Sequence, residues 1–444
     1  MELTAAEALD RTLLLIRQQR LPDAGTEEVL ACLQRTTVAI VANEENLRAP
    51  AAQTAVVTLA GLVLACGMRI RLVMPSVAIA GYQPPLVGSG LVAGIVDLAG
   101  DLIPGGEAVA DIKTRAADLV FVIGNTPWRG DAGLAWRLAA SPWAGYLLPP
   151  TELAPRIEGA FPIGAAAAAS MGAAEPFRAA LRVVAALTRC TVPVPEFLTA
   201  SSRAEVILAP GGTRTDGFAL GAIDMISGGA ISTAALHLLL RIPGCQTDLR
   251  VWEPQSADGS NLNRYPLLRR SMVGMPKVEV LSRWAAGGVT LQGDNRQVTD
   301  ELVHTIGSFA PRVLVGTDNV ESRWVVQETW PEWLCVASTA GFMVMVSEHE
   351  PGRPCVRCLH RATENVPGDI PTVSFVSYWG GLLAIVRLLR QYVDGPCALT
   401  EQETEVWADR LDSQYGFQHR PIPRMEDCPT CREGSYLSNK RVAQ

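Results

Sequence analysis

Short apolar runs and longer helical patterns alternate along this chain, and the same order of elements occurs twice. Apolar runs predict buried strands at 37–42, 69–74 and 117–124 in the first half, and at 222–227, 248–253 and 311–316 in the second. Helical patterns follow the first strand of each half, at 51–66 and 231–241. Continuous apolar strands joined by helices are typical of parallel sheets that are covered on both faces. The sequence therefore predicts an α/β protein with two doubly wound domains.

Composition adds the domain boundaries and the cellular setting. Over the 444 residues we predict a first domain at 1–200, a second at 201–434 and a flexible polar tail at 435–444. The formal net charge is −7 and no basic cluster occurs, which argues against a nucleic-acid partner. We see no signal peptide, and the apolar stretches at 86–100 and 159–174 are too short or too rich in glycine to cross a membrane. We expect a soluble, cytoplasmic protein.

A turn of small residues follows the first strand of the second half, where the sequence reads Ser227-Gly228-Gly229-Ala230. Small residues at such a position allow a phosphate group to approach the N-terminus of the next helix, whose free N–H groups favour anions. A plain tight turn between a strand and a helix fits these residues equally well. Glu253 ends the next strand, where an acidic residue binds ribose hydroxyls in folds of this kind.

Three further elements are more specific. They are the run Ser260-Asn261-Leu262-Asn263-Arg264, then Lys277, and then Thr317-Asp318-Asn319 with Arg323. Together they resemble the ThiF-type and ubiquitin-activating superfamily of adenylyltransferases, in which an S-N-L-N-R-Q run, a lysine and a D-N-x-x-x-R element occur in this order. Tyr265 departs from that pattern by replacing the glutamine, and Gln255 departs by replacing a second acidic residue.

The resemblance implies two Rossmann-like adenylation domains and the ATP-dependent adenylation of the C-terminal carboxylate of a ubiquitin-like protein. In such a reaction Arg264 and Lys277 would neutralise phosphate oxygens, and Asp318 would hold Mg²⁺. Asn263 would position the phosphates through its amide. The other residues of the implied nucleotide site are Gly228, Gly229, Glu253 and Asn319. The alternative is ordinary structure, with Arg264 and Lys277 as solvated surface residues and Asp318 as a helix N-cap.

Four of the ten cysteines form two Cys-x-x-Cys pairs, Cys355 with Cys358 and Cys428 with Cys431. Two such pairs suit a tetrahedral Cys₄ zinc site. The residues around the first pair also resemble the P-C-Y-R-C-L segment of the same superfamily. Four thiolates leave no open position on the metal, so we predict a structural role for Zn²⁺. We expect His360 to be a neighbour of this site and not a ligand.

The segment 17–25, which reads RQQRLPDAG, resembles the R-Q-x-x-L-P-x-x-G segment of the superfamily. There the arginine reaches across a dimer interface to the ATP of the partner subunit. The first half lacks the other nucleotide-binding residues, because two carboxylates occur in its turn at 42–46 and Thr126 replaces the counterpart of Asp318. These complementary losses predict a pseudo-dimer within one chain, in which an inactive domain supplies Arg17 to the active domain. In the alternative, Arg17 pairs with a carboxylate near its own helix.

Members of the superfamily that pass on the acyl group use a cysteine that precedes a helix matching 374–392, and residues 359–396 contain none. We expect Cys335 to be a core residue, whereas Cys397 could be exposed. Thr372 or Ser374 could instead carry an ester, although no adjacent base is evident. We favour direct attack on the adenylate by a conjugating-enzyme-like partner.

Three functions remain open at this point. The first is an activating enzyme of a bacterial-type ubiquitin-like pathway, which could form an oligomer. The second is an adenylating enzyme for a peptide natural product, as in microcin-type modification. The third is a binding module that has kept the fold and lost catalysis. The presence of Arg264, Lys277 and Asp318 together favours an enzyme over a binding module.

Overall fold

The computed structural model describes residues 3–111, 117–130, 134–189, 203–361, 370–395, 401–408 and 417–431. Its strands are β1 (Thr37–Val41), β2 (Arg69–Val73), β3 (Ala108–Ala110), β4 (Leu119–Ile123), β5 (Ala135–Ser141), β6 (Ala144–Leu148), β7 (Ala204–Ile207), β8 (Ala219–Ile226), β9 (Gln246–Trp252), β10 (Val289–Asp294), β11 (Arg312–Val315), β12 (Trp333–Ala340), β13 (Met343–His349), β14 (Glu403–Trp407) and β15 (Phe417–Arg420). Its helices are α1 (Ala5–Ala8), α2 (Asp10–Gln19), α3 (Thr26–Arg35), α4 (Glu44–Leu47), α5 (Pro50–Ala65), α6 (Leu91–Gly100), α7 (Ile163–Thr188), α8 (Ala230–Leu239), α9 (Lys277–Ser282), α10 (Asp300–Ile306), α11 (Val320–Glu328), α12 (Val356–Leu359) and α13 (Ser374–Asp394). The predicted tail at 435–444 lies outside the described residues.

Two sheets of the same topology organise the chain. Within the described residues, the first sheet has the order β3-β2-β1-β4-β5-β6-β7 and the second has the order β10-β9-β8-β11-β12-β13-β14-β15. In each sheet the first five strands of this order are parallel, and the remaining strands are antiparallel. The repeated order confirms the two doubly wound, Rossmann-like α/β units that the apolar runs predict.

Strand β7 shows where the first sheet ends. It pairs with β6 in antiparallel register, from Ala144 opposite Ile207 to Leu147 opposite Ala204. Residues 204–207 therefore belong to the first sheet, although the predicted second domain begins at 201. Residues 190–202 lie outside the described part of the chain, and the division at residue 200 stays a prediction.

The two sheets share a core that is centred on α13. Every residue from Ser374 to Leu389 is buried, and a helix that is buried on all sides belongs inside a protein. A Cβ atom on Gly381 would lie 2.6 Å from the backbone nitrogen of Ala235 in α8, so glycine permits the close approach of α8 and α13. The Ser374 hydroxyl donates a hydrogen bond of 2.8 Å to the Leu62 carbonyl in α5, which joins the two halves.

The apolar stretches of the first half are packed inside this core. Most of 159–174 forms the beginning of α7, in which residues 163–178 are all buried. The stretch 86–100 contains α6, whose Leu91, Ile95 and Leu98 are buried. Among the helices in the described part of the chain, none has the length and apolar character needed to cross a bilayer.

Candidate functional site

A cavity of about 250 Å³ lies at the carboxyl ends of β8, β9 and β11. Strands β8 and β11 are neighbours in the second sheet, and the chain continues from them toward opposite edges. In open α/β sheets, ligands bind in the crevice outside such a switch point. The sequence elements that predict a nucleotide site therefore meet where the topology leaves room for a ligand.

The turn at 227–229 forms one wall of the cavity. Ser227 adopts the left-handed region with φ of 87°, a conformation that usually requires glycine. Its Oγ accepts a hydrogen bond of 3.0 Å from the Gly229 N–H, and Glu253 Oε2 accepts one of 2.8 Å from the Gly228 N–H. A phosphate that approaches these N–H groups has to replace a hydroxyl or a carboxylate of the protein itself. Glu253 lines the cavity, and its role on a ribose stays a prediction.

Two cationic side chains of the second half also line the cavity. Lys277 is 6% exposed, and its Nζ lies 2.7 Å from Gln255 Oε1 and 3.9 Å from the Glu253 carboxylate. Arg264 forms no ion pair with any residue in the described ranges, and it donates to Asn263 Oδ1 at 2.7 Å. Burial lowers the pKa of Arg264, and the nearby positive charge of Arg11 acts in the same direction. Such a cluster of cations favours a polyanionic ligand.

The loop after β11 supplies an acidic group. Asp318 is exposed and lines the cavity, whereas Asn319 does not. Asn319 is the N-cap of α11, since its side chain accepts a 2.9 Å hydrogen bond from the Ser322 N–H. The Asp318 carboxylate is therefore not used as the cap. Arg323 holds the loop by donating to the Thr317 carbonyl at 3.0 and 2.7 Å, and burial lowers the pKa of Arg323 to about 10.

Asn263 is fully buried behind the cavity and is not one of the residues that line it. Its Nδ2 atom has no hydrogen-bond partner among the described residues. Buried polar groups without a partner are costly, so an unpaired amide donor beside a cavity fits a site that is completed by a ligand.

The first half reaches this cavity through Arg11 and not through Arg17. Arg11 lines the cavity, and its backbone carbonyl accepts a 3.4 Å hydrogen bond from the Thr372 N–H. Arg17 is exposed and is not among the lining residues. Both lie on α2, but six residues turn a helix by about 600°, so the two side chains point about 120° apart. The side chain of Leu3 also packs on the second half, where a Cβ atom on Gly259 in the S-N-L-N-R region would lie 2.5 Å from it.

The equivalent edge of the first sheet is filled by protein. Asn46 is fully buried there and donates hydrogen bonds to Asn43 Oδ1 and Asn125 Oδ1, both at 2.7 Å. Thr126, at the position that matches Asp318, accepts from the Asn43 N–H at 3.1 Å. The polar groups of this edge therefore satisfy one another, and the loss of nucleotide binding in the first half stays a prediction.

The four cysteines of the two Cys-x-x-Cys pairs lie together, with all Sγ atoms within 4.8 Å of one another. The Sγ atoms of Cys355 and Cys428 are 3.5 Å apart, and those of Cys358 and Cys431 are 3.6 Å apart. Zinc–sulfur bonds of about 2.3 Å in a tetrahedron place sulfurs about 3.8 Å apart, so the cluster fits Zn²⁺. Burial raises the pKa of Cys431 to about 11, and a bound cation would offset this effect.

The structure also places most of the other residues that the sequence singles out, which are a histidine near the four-cysteine cluster, a core cysteine and two hydroxyl residues. His360 is not part of the cluster, and its Nε2 lies 3.1 Å from Arg323 Nη1. Cys335 is buried in β12, as predicted. Cys397 lies outside the described residues. Thr372 lines the cavity. Ser374 does not line it, and its hydroxyl donates a hydrogen bond to the Leu62 carbonyl in α5.

Sequence reasoning missed four lining residues, which are Arg11, Thr339, Ile370 and Ser377, and it gave Tyr265 no role. A helical-wheel comparison of Arg11 with Arg17 shows that they cannot share a face, but it does not show which face meets the second half. Tyr265 was visible as a departure from the superfamily pattern. Ser377 follows Thr372 by five residues, and in the folded chain the two hydroxyl oxygens are 3.2 Å apart. The sequence contains no stronger signal for Ser377 than this spacing.

No family model matches the sequence. The uncharacterized protein y4jF of Sinorhizobium fredii (strain NBRC 101917 / NGR234) is 30% identical over 145 residues, which cover 32% of this chain and 28% of that protein. The chain therefore matches less than a third of the length of this curated relative.

Solved structures give partial similarities at low identity. E. coli MccB with ATP is 15% identical with a TM-score of 0.38, covering 47% of this chain and 65% of that chain. The microcin C7 biosynthetic enzyme MccB in complex with N-formylated MccA is 14% identical with a TM-score of 0.39, covering 47% and 67%. PaaA is 11% identical with a TM-score of 0.35, covering 46% and 73%. At these values the functional argument rests on the cavity itself.

The four-cysteine cluster gives a direct prediction. Freshly purified protein should contain one zinc per chain, and paired replacement of Cys428 and Cys431 by serine should remove it. The melting temperature should fall by several degrees, because thiolate–zinc bonds contribute folding energy. Metal analysis and thermal unfolding provide the measurements. Cys32→Ala with Cys245→Ala is the matched control, since both cysteines are buried outside the cluster, and it should keep its zinc. Wild-type protein without zinc would refute the assignment.

Proposed function

We propose that this protein uses ATP to adenylate the C-terminal carboxylate of a ubiquitin-like protein. The observation that carries the proposal is the convergence of Arg264, Lys277 and Arg11 on a cavity that also contains Asp318. The cavity lies at the switch point of a doubly wound sheet, where nucleotides bind in folds of this architecture. The presence of Asp318 in the same cavity as these cations favours an enzyme over a binding module.

The reaction accounts for the type of each residue. A carboxylate oxygen of the substrate attacks the α-phosphorus of ATP, the bond to pyrophosphate breaks, and an acyl adenylate forms. Negative charge has to be neutralised on several phosphate oxygens at once. Lys277 supplies a point charge and Arg264 a planar fork that suits phosphate geometry. Asp318 would hold Mg²⁺, which would add positive charge at the phosphates.

The two halves divide this work in our proposal. The first half is an inactive adenylation domain, because Asn46 and Thr126 fill its own edge. The second half is the active domain. The first half then contributes Arg11, whose place in the cavity gives it the function predicted for Arg17. This arrangement is a pseudo-dimer within one chain.

The far end of the cavity suits the last residues of a polypeptide. Thr339, Ile370 and Thr372 line it, and Ile370 remains 40% exposed. In our proposal the carboxyl terminus of the substrate enters the cavity beside these residues. A peptide natural product is the second candidate substrate. Either a peptide or a ubiquitin-like protein would place only its C-terminal end in the cavity.

The fate of the adenylate is also a proposal. Thr372 is 4% exposed, and its hydroxyl is hydrogen-bonded to Ser377, with no described base beside it. A conjugating-enzyme-like partner that attacks the adenylate directly therefore remains our preferred acceptor. The zinc site is structural in this account.

Replacement of Asp318 tests the proposed reaction. Asp318→Ala should lower ATP–pyrophosphate exchange by about 10²–10³, because a group that holds Mg²⁺ acts on the transition state. Exchange is measured with candidate proteins that end in glycine, and circular dichroism verifies folding. Glu321→Ala is the control, since this exposed residue does not line the cavity. Full exchange activity in folded Asp318→Ala would disprove the assigned site.

A pair of arginine variants tests the contribution of the first half. Arg11→Ala should lower the exchange rate by about 10²–10³, by analogy with the loss of one charge-stabilising donor. Arg11→Lys should restore only part of the rate, because a point charge replaces a planar fork. Arg17→Ala is the control from the same helix and should leave the rate nearly unchanged. A large loss with Arg17→Ala and none with Arg11→Ala would reverse our assignment.

A further inference from the structure

Tyr265 lines the cavity, and the proposed reaction gives this residue no role. Its side chain is 8% exposed and lines the cavity directly after Arg264. The same residue also lines a small cavity behind it, together with His237 and Tyr378. Its ring therefore forms the wall between the candidate nucleotide site and the shared core.

Two cations lie near the ring. The Arg264 guanidinium carbon is 5.5 Å from the ring centroid, and Lys277 Nζ is 5.6 Å from it. Both distances are within the range of cation–π attraction. The ring thus contributes to the placement of the two side chains that we assign to the phosphates.

The hydroxyl of Tyr265 faces the turn at 227–229. A Cβ atom on Gly229 would lie 3.7 Å from the Tyr265 hydroxyl oxygen. His237 and Tyr378, in the cavity behind, are paired with each other at 3.0 Å. The Tyr265 hydroxyl makes no hydrogen bond with any residue in the described ranges, and buried polar groups normally have a partner. Because the hydroxyl opens onto the cavity, a ligand or water there can supply this partner.

We propose that Tyr265 is a phosphate-binding residue, whose hydroxyl donates a hydrogen bond to a phosphate oxygen of ATP while its ring aligns Arg264 and Lys277. This inference rests on the proposed function, because it requires ATP in this cavity. A phenol hydroxyl is a donor to anions, and the two neighbouring cations make the site strongly attractive to an oxyanion.

Replacement by phenylalanine separates the hydroxyl from the ring. Tyr265→Phe should bind ATP about tenfold to a hundredfold more weakly than wild-type protein, the range expected for one hydrogen bond to a charged group. Its affinity for adenosine, which has no phosphate, should not change. Both affinities are measured by calorimetry on the full chain. Tyr392→Phe is the matched control, because Tyr392 does not line the cavity, and it should bind both ligands like wild type.

The wild-type protein supplies a second measurement that does not depend on a variant. The chain contains seven tyrosines. In each of them the ring carbon that carries the hydroxyl can be labelled with ¹³C and observed by NMR. One of these resonances should shift with ATP and remain in place with adenosine.

Equal loss of ATP and adenosine affinity in Tyr265→Phe would mean that the residue only shapes the cavity, and the inference would be overturned. Unchanged ATP affinity in that variant, or no selective shift in the wild type, would overturn it as well. Wild-type protein that binds no ATP at all would instead reject the proposed function on which it rests. The three results are therefore distinguishable.

Discussion

The burial of α13 on all sides is the constraint on which the rest of the structure depends. This helix packs against α8 in its own half and against α5 and α7 in the other half. Its packing requires glycine at 381, where the two helix backbones meet. Thr372 and Ser377, which lie at the start of the helix, are thereby held at the cavity, and Thr372 in turn contacts the carbonyl of Arg11. The core that joins the two sheets also assembles the site.

The corresponding edges of the two sheets carry different side chains. At the edge of the second sheet, the Asn263 amide nitrogen has no protein partner among the described residues, and Arg264 forms no ion pair there. At the matching edge of the first sheet, Asn46 satisfies three side-chain oxygens. A filled edge cannot receive a triphosphate, whereas the open edge gathers cations around a cavity. Function therefore follows from a few side chains on a repeated fold, and not from the fold alone.

Much of this arrangement was readable from the sequence, because the determining signals are local. Continuous apolar runs predict parallel strands, and both sheets lie where the runs occur. The two Cys-x-x-Cys pairs predicted the cluster, since their residue type limits the possible partners. Asp318 and Lys277 were identified through the resemblance of short motifs at 260–264, 277 and 317–323 to those of a known superfamily.

Other features depend on tertiary packing and could not be predicted in the same way. The face of α2 that meets the second half is decided by tertiary contacts, such as the hydrogen bond from the Thr372 N–H to the Arg11 carbonyl, so the sequence pattern indicated Arg17 whereas Arg11 lines the cavity. The hydrogen bond between Glu253 and the Gly228 N–H depends on a turn in which Ser227 adopts a left-handed conformation. The role of Tyr265 depends on its distance from two cations that are adjacent only in the folded chain.

The central claim is that one open site in the second half of the chain is completed by the first half. The number of nucleotides bound per chain tests this claim most directly. Calorimetric titration of the full chain with ATP and Mg²⁺ should give one ATP per chain. The titration should give none after Arg264→Ala and Lys277→Ala are combined. Two ATP molecules per chain, or one that persists in the double variant, would place a nucleotide elsewhere and contradict the account.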